Sequence, residues 1–152
     1  MSDRLAAFVT ESNRIEGILR EPTQAELDEA EAFIRLPQVS MAMLRQFVGV
    51  YQPDAMLRDR SGLNVRVGSH VAPPGGPMIP KSLRFLVEHV NELRLHPHQI
   101  HCEYETLHPF TDCNGRSGRI LWLWMMMRLT GAIPAIGFLH TFYYQTLERL
   151  KP

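Results

Sequence analysis

Residues 120–127 read ILWLWMMM, an unbroken apolar stretch bounded by Arg119 and Arg128. A helix carrying that stretch has no polar face, so other elements must cover it on all sides. It is far shorter than the roughly 20 residues a membrane span requires, so the cover must be protein. The rest of the chain supplies that cover as helices. Leu5, Phe8, Val9, Ile15, Ile18 and Leu19 recur at three- and four-residue steps, predicting a helix over 3–19 that Pro22 stops. Thr23 and Glu26 have the spacing of a capping box and open a second helix to about Leu36. Ser40 caps a third, with Met41, Leu44, Phe47, Val48 and Tyr51 on its inner face.

Residues 58–79 break the helical rhythm. Leu63, Val65 and Val67 alternate with polar neighbours, and the run Pro73-Pro74-Gly75-Gly76-Pro77 excludes regular structure, so a short hairpin or flap is expected. Pro80 suits the first position of a further helix reaching Leu95, and Pro97 opens another ending at Leu107. The apolar helix is expected over 116–129, closed by Gly131 and Pro134, and a last helix over 137–150. The expected class is all-α: one helical domain with one short β-hairpin flap, divided into an N-terminal region at 1–37 and a core at 38–152.

Charge narrows the partners. Lys plus Arg balances Asp plus Glu at 16 each in 152 residues, which gives no global field for nucleic acid or an anionic membrane. Anion binding must be local. The opening residues lead into no secretory apolar core, and Cys102 and Cys113 are the only cysteines, so free thiols and a cytoplasmic location are expected.

The local anion site is legible. His108-Pro109-Phe110-Thr111-Asp112-Cys113-Asn114-Gly115-Arg116-Ser117-Gly118-Arg119 gathers a base, an acid, two guanidinium groups and two glycines at the start of a helix. Free N–H groups near Cys113 to Arg116 would converge with the positive end of the helix dipole, an arrangement that binds phosphate. A histidine is neutral near pH 7 and accepts a proton from an attacking hydroxyl. Asp112 offers one carboxylate, enough for a Mg²⁺ that keeps water and phosphate as its other ligands. Arg116 and Arg119 sit three apart and present planar forks to phosphate oxygens. Phe110 is expected to point into the core and fix the loop. Each residue alone has an ordinary structural explanation; their coincidence in one turn does not.

This segment resembles the Fic signature His-x-Phe-x-(Asp/Glu)-Gly-Asn-(Gly/Lys)-Arg-x-x-Arg at every position except Cys113, where the family has Gly. The flap Leu63-Asn64-Val65-Arg66-Val67-Gly68 and the helix order extend the resemblance from about residue 38 onward. The resemblance implies a protein adenylyltransferase: His108 deprotonates a Ser, Thr or Tyr hydroxyl of a target protein, and Asp112 holds Mg²⁺. Asn114, Gly115, Arg116, Gly118 and Arg119 bind the ATP phosphates, with Arg119 on the γ-phosphate. Val65, Arg66, Val67 and Gly68 clamp the target by strand-like pairing. Gly115 after Asn114 favours the adenylyl type, because Lys there marks a kinase-like branch. Self-modification and a homo-oligomer are compatible with this reading; nucleic acid and membrane are not expected partners.

Two further features follow. Cys113 replaces a glycine, so strain is expected if that backbone takes a positive φ, with the substitution structurally tolerated as the preferred reading; a second reading has the neighbouring arginines lower its thiol pKa and make it redox-sensitive. Ser12-Asn13-Arg14-Ile15-Glu16-Gly17 resembles the inhibitory motif (Ser/Thr)-x-x-x-Glu-(Gly/Asn). That resemblance implies that Ser12, Glu16 and Gly17 belong to a built-in inhibitor whose Glu16 pairs with Arg119, and some relatives use the same glutamate to remove AMP. The alternative for this helix is an amphipathic one whose Ser12 and Glu16 face water. His96, His98, His101, Cys102, Glu103, His108 and Cys113 have no recognised zinc spacing, and His140, Tyr143 and Tyr144 suit either contact with adenine or target, or packing. The alternative functions are a catalytically weak or inactive ATP-binding regulator and a transferase of another phosphate-containing group. The target, the modified side chain and the trigger are not encoded in any pattern found.

Overall fold

The computed structural model describes residues 2–134. The expected helix at 137–150, with His140, Tyr143 and Tyr144, lies outside the described residues. Six helices and one two-stranded hairpin follow in the order α1 (Asp3–Ile15), α2 (Gln24–Ile34), α3 (Met41–Tyr51), β1 (Arg66–Val67), β2 (His70–Val71), α4 (Met78–Glu92), α5 (Pro97–Leu107) and α6 (Asn114–Thr130). The class is all-α with a short hairpin, as expected.

α6 is the axis. It packs most extensively on α5 and also meets α1, α2 and α3, so four helices enclose its apolar run. Ile120, Leu121, Leu123, Trp124 and Met125 are buried. The enclosure then opens, and Leu129 is exposed. The far end is tied to the chain after α2, where the Leu36 carbonyl accepts bonds from Trp124 Nε1 at 2.9 Å and from the Arg128 guanidinium. Phe33, Phe47 and Tyr51 form an aromatic series between α2 and α3, with the Phe47 and Tyr51 rings stacked at 4.1 Å. Among the described residues no helix is long and apolar enough to cross a membrane.

Helix starts follow the sequence closely. Thr23 and Glu26 form a reciprocal capping box, and Ser40 Oγ accepts the Met43 N–H at 3.2 Å. Several boundaries differ from expectation. α1 ends at Ile15, four residues early, because Gly17 adopts φ 78°. The Gly17 N–H reaches Arg14 O at 2.9 Å and the Ile18 N–H reaches Asn13 O at 3.0 Å, which is the paired bonding of a Schellman stop. Leu19 is consequently exposed rather than on an apolar face. α4 starts at Met78 and not at Pro80, which an early helical position tolerates because first-turn N–H groups have no helical partner. It stops at Glu92, where Leu93 turns left-handed. α6 starts two residues early, at Asn114.

The flap is smaller than the alternation suggested. Only Arg66↔Val71 and Val67↔His70 pair, around a turn whose Gly68 has φ 57°. Val67 is exposed instead of inward. Gly75 is obligatory: a Cβ there would lie 2.5 Å from Arg60 O and 2.6 Å from Leu63 O.

Candidate functional site

Two left-handed backbone positions shape the turn between α5 and α6. His108 ends α5 with φ 47°, and Cys113 opens α6 with φ 68°. Between them the segment runs extended beside residues 56–58, with the Arg58 N–H on Pro109 O at 2.9 Å and the Thr111 N–H on Met56 O at 2.8 Å. Phe110 is buried, and the Asn114 side chain brackets it, accepting from its N–H at 2.9 Å and donating to its carbonyl at 2.8 Å. Asn114 therefore holds the loop with its side-chain amide and also lines the cavity at this turn.

Cys113 is an N-cap without a capping side-chain bond. A Ser or Asp in its place would turn an oxygen onto the first N–H groups of α6. The thiol leaves those donors open. The positive φ explains why a glycine suits this position, and a side chain carrying it costs about 1–2 kcal/mol. The expected fall in thiol pKa is wrong: Cys113 is only 3% exposed, and burial outweighs Arg116 and pushes it up to about 12. We predict that a maleimide or iodoacetamide modifies Cys102, which is only partly buried, and spares Cys113 in the folded protein. Peptide mass spectrometry reads this, and alkylation of Cys113 at the rate of Cys102 would refute it.

A cavity of about 270 Å³ opens at this turn. His108, Asp112, Asn114, Gly115, Arg116 and Arg119 all line it, and Val65, Arg66 and Val67 of the flap form one wall. The sequence-predicted groups thus converge, with two exceptions. Gly68 lies in the hairpin turn beyond the wall. Gly118 faces α5, where a Cβ would stand 2.7 Å from Glu105 Oε1 and 2.9 Å from Tyr104 Cδ1, so it allows close helix packing and is not part of the cavity. A larger groove of about 1270 Å³ runs between α4 and α5, but its lining is mostly apolar and it contains none of these groups.

The His108 ring is oriented by its own helix. Nδ1 bonds the Glu105 carbonyl, an acceptor, so Nδ1 carries the hydrogen and Nε2 keeps its lone pair. Burial lowers its pKa, with smaller contributions in the same direction from His70 and Arg58, so the ring is neutral at pH 7. The His70 ring of β2 lies 5.9 Å away, and its Nε2 donates to Thr106 O at 2.9 Å, docking the flap beside His108.

Arg116 is buried, and its guanidinium bonds Tyr51 O and Gln52 Oε1, both at 3.3 Å, while still lining the cavity. Arg119 faces α1. Its Nε donates to Ser12 Oγ at 2.8 Å, and Nη2 donates to Ser12 O at 3.0 Å and to Glu16 Oε1 at 2.6 Å. Ser12 is buried, so the reading in which Ser12 and Glu16 merely face water does not hold. Glu16 Oε1 would lie only 2.0 Å from a Cβ on Gly115, so a side chain there would collide with the carboxylate. Glu16 is the C-cap of α1, and Gly17 reverses the backbone directly after it.

Asp112 lies exposed at the rim, and Oδ1 accepts the Cys113 N–H at 2.6 Å. Among the described residues no three His, Cys, Asp or Glu side chains are grouped to hold a metal by themselves. One rim carboxylate fits a Mg²⁺ carried in on phosphate, which needs few protein ligands.

Two residues escaped the sequence reading. Arg58 is fully buried, with Nε on His108 O at 2.5 Å, Nη2 on Leu107 O at 2.7 Å, and Nη1 on Leu63 O at 3.1 Å and Pro73 O at 2.7 Å. It joins both ends of the flap to the end of α5. Its lone signal was a charged residue beside the apolar Leu57, too common to stand out. Glu26 does more than cap: it also accepts from Asn13 at 3.3 Å and Arg20 at 2.7 Å, pinning the end of α1 to α2.

No curated protein matches the chain. A model of the Fic/DOC family matches residues 26–126. That span contains the flap, α5, the turn and most of α6, and with the converging geometry it settles the affiliation: the chain belongs to the Fic/DOC family.

Proposed function

We propose that the protein is a Fic-type transferase of the adenylyl kind, moving AMP from ATP to a hydroxyl of a protein target. The observation that carries this is the neutral His108, its Nε2 unprotonated, on the wall of a cavity shared with Arg116, Arg119 and the uncapped start of α6. In this reading Nε2 takes the proton of the incoming hydroxyl, whose oxygen attacks the α-phosphorus of ATP; the bond to the bridging oxygen breaks and pyrophosphate leaves. The α6 N–H groups, Arg116 and Arg119 hold the phosphates and spread the developing charge. Mg²⁺ bound at Asp112 would neutralise phosphate charge. The exposed edge of β1 would pair with an extended target segment.

Glu16 occupies the Arg119 fork that a terminal phosphate needs, which supports an autoinhibited resting state. The test is mass spectrometry of Glu16→Gly protein incubated with ATP, Mg²⁺ and cell lysate. An AMP adduct on Ser, Thr or Tyr is expected, and His108→Ala in the same background should cut its formation by about 10²- to 10⁴-fold. Equal adduct yield with and without His108 would reject its role as base; no adduct in either leaves the ATP-binding regulator as the better description.

A further inference from the structure

Two imidazoles hold neighbouring carbonyls at the end of α5. The last carbonyls of a helix have no partners within it. Here His108 Nδ1 takes Glu105 O, His70 Nε2 takes Thr106 O at 2.9 Å, and Arg58 Nη2 takes Leu107 O at 2.7 Å. The Phe110 N–H, which would reach Thr106 O if the helix ran on, is turned to the Asn114 side chain instead. The base and the flap are therefore fastened to one row of acceptors, with the two imidazole rings 5.9 Å apart.

The flap needs that fastening. Its ladder is two residue pairs long, and Arg66, Val67 and Val71 are exposed. A lone hairpin of this kind does not hold its place in water. Arg58 secures the two ends through Leu63 O and Pro73 O. Between those ends, among the described residues, His70 makes the one side-chain hydrogen bond from the hairpin to a helix, whereas the Arg66 guanidinium turns back to Gly68 O within the hairpin.

We propose that His70 is a positioning residue for the protein acceptor: by hanging β2 on Thr106 O, it fixes the distance between the open edge of β1 and Nε2 of His108, and so sets which acceptor hydroxyls reach the base. This rests on the transferase reading above and deepens it. A target segment paired with β1 inherits the position of the flap, so drift of the flap carries the hydroxyl away from Nε2. The groups proposed to hold the phosphates all lie in the turn and in α6, so ATP binding is indifferent to His70.

The test compares His70→Gln with His70→Phe, both in Glu16→Gly protein. The Gln amide can donate to Thr106 O as Nε2 does, and the Phe ring cannot. Neither variant keeps the imidazole, so the influence of His70 on the His108 pKa is absent from both. With α-labelled ATP, Mg²⁺ and cell lysate as acceptor, His70→Phe should label proteins about 10- to 100-fold more slowly than His70→Gln. MgATP affinity by calorimetry should be equal in the two, which separates lost positioning of the acceptor from general damage to the site. Trypsin gives a readout besides activity: cleavage after the exposed Arg66 should run about two- to tenfold faster in His70→Phe, the factor one hydrogen bond sets on the undocked population. Equal labelling by the two variants overturns the proposal, and so does a fall in ATP affinity parallel to the fall in labelling. Equal trypsin rates overturn the docking on which it stands. Glu16→Gly protein that labels nothing overturns the transferase reading and this proposal with it. Should His70→Phe misfold, His70→Ala takes its place with the same expected results.

Discussion

Glu16→Gly protein is expected to label targets on the order of 10- to 100-fold faster than the parent chain, the range of a typical coupling free energy between two sites. The expectation comes from where the carboxylate sits. Glu16 Oε1 is 2.6 Å from Arg119 Nη2 and presses against Gly115, at the start of the helix that would receive phosphate. Removing it exposes the fork without disturbing the Arg119 bonds to Ser12 at 2.8 and 3.0 Å. Glu16 is about a third exposed, so the fold should lose little stability. Labelled ATP and gel autoradiography give the rate. An unchanged rate with ATP and Mg²⁺ saturating would remove Glu16 from any inhibitory role.

Replacing Arg58 with Met is expected to cost about 3–5 kcal/mol, because it strands several buried carbonyls that the guanidinium now satisfies. In a chain of this length that corresponds to a fall in Tm on the order of 10 °C. Burial lowers the Arg58 pKa, yet a guanidinium keeps its charge in proteins, so removing it also relieves a desolvation cost and keeps the loss finite. Arg58→Lys should recover part of the stability, since one ammonium reaches fewer of the carbonyls. Thermal denaturation followed by circular dichroism measures both. A Met variant melting within about 2 °C of the parent would mean that the flap and α5 are held by something other than this side chain.

How far the sequence reached can be seen residue by residue. Local rules worked where the interaction is local: the Thr23–Glu26 box, the Ser40 cap, the Gly131 stop and the burial of Ile120, Leu121, Leu123, Trp124 and Met125 all rest on neighbours within a turn or on unbroken hydropathy. The dense motif placed the cavity because its residues lie in one turn. Periodicity alone overran the end of α1, since Ile18 and Leu19 kept the helical spacing while Gly17 had already reversed the backbone. Long-range facts were out of reach. Arg58 bonds carbonyls up to 50 residues away, and His70 meets Thr106 only once the flap has folded back onto α5. Cys113 failed for the same reason: two nearby arginines were visible in the sequence, and the burial that overrides them was not. Gly118 looked like a phosphate-loop glycine and proved to be a contact between helices.

The seat taken by Glu16 carries one last implication for how such a chain changes over generations. If Glu16 inhibits as proposed, its carboxylate imitates the ligand it would displace, resting on the same guanidinium and the same helix start that would grip a phosphate. Strengthening that grip tightens the self-made plug in equal measure, and loosening it surrenders both. Under that reading the tuning of activity would fall to the mounting of Glu16: Gly17, which sets where α1 stops, and Glu26, whose bonds to Asn13 and Arg20 hold that stop in place. Substitutions there can shift the resting balance while the chemistry stays as it is.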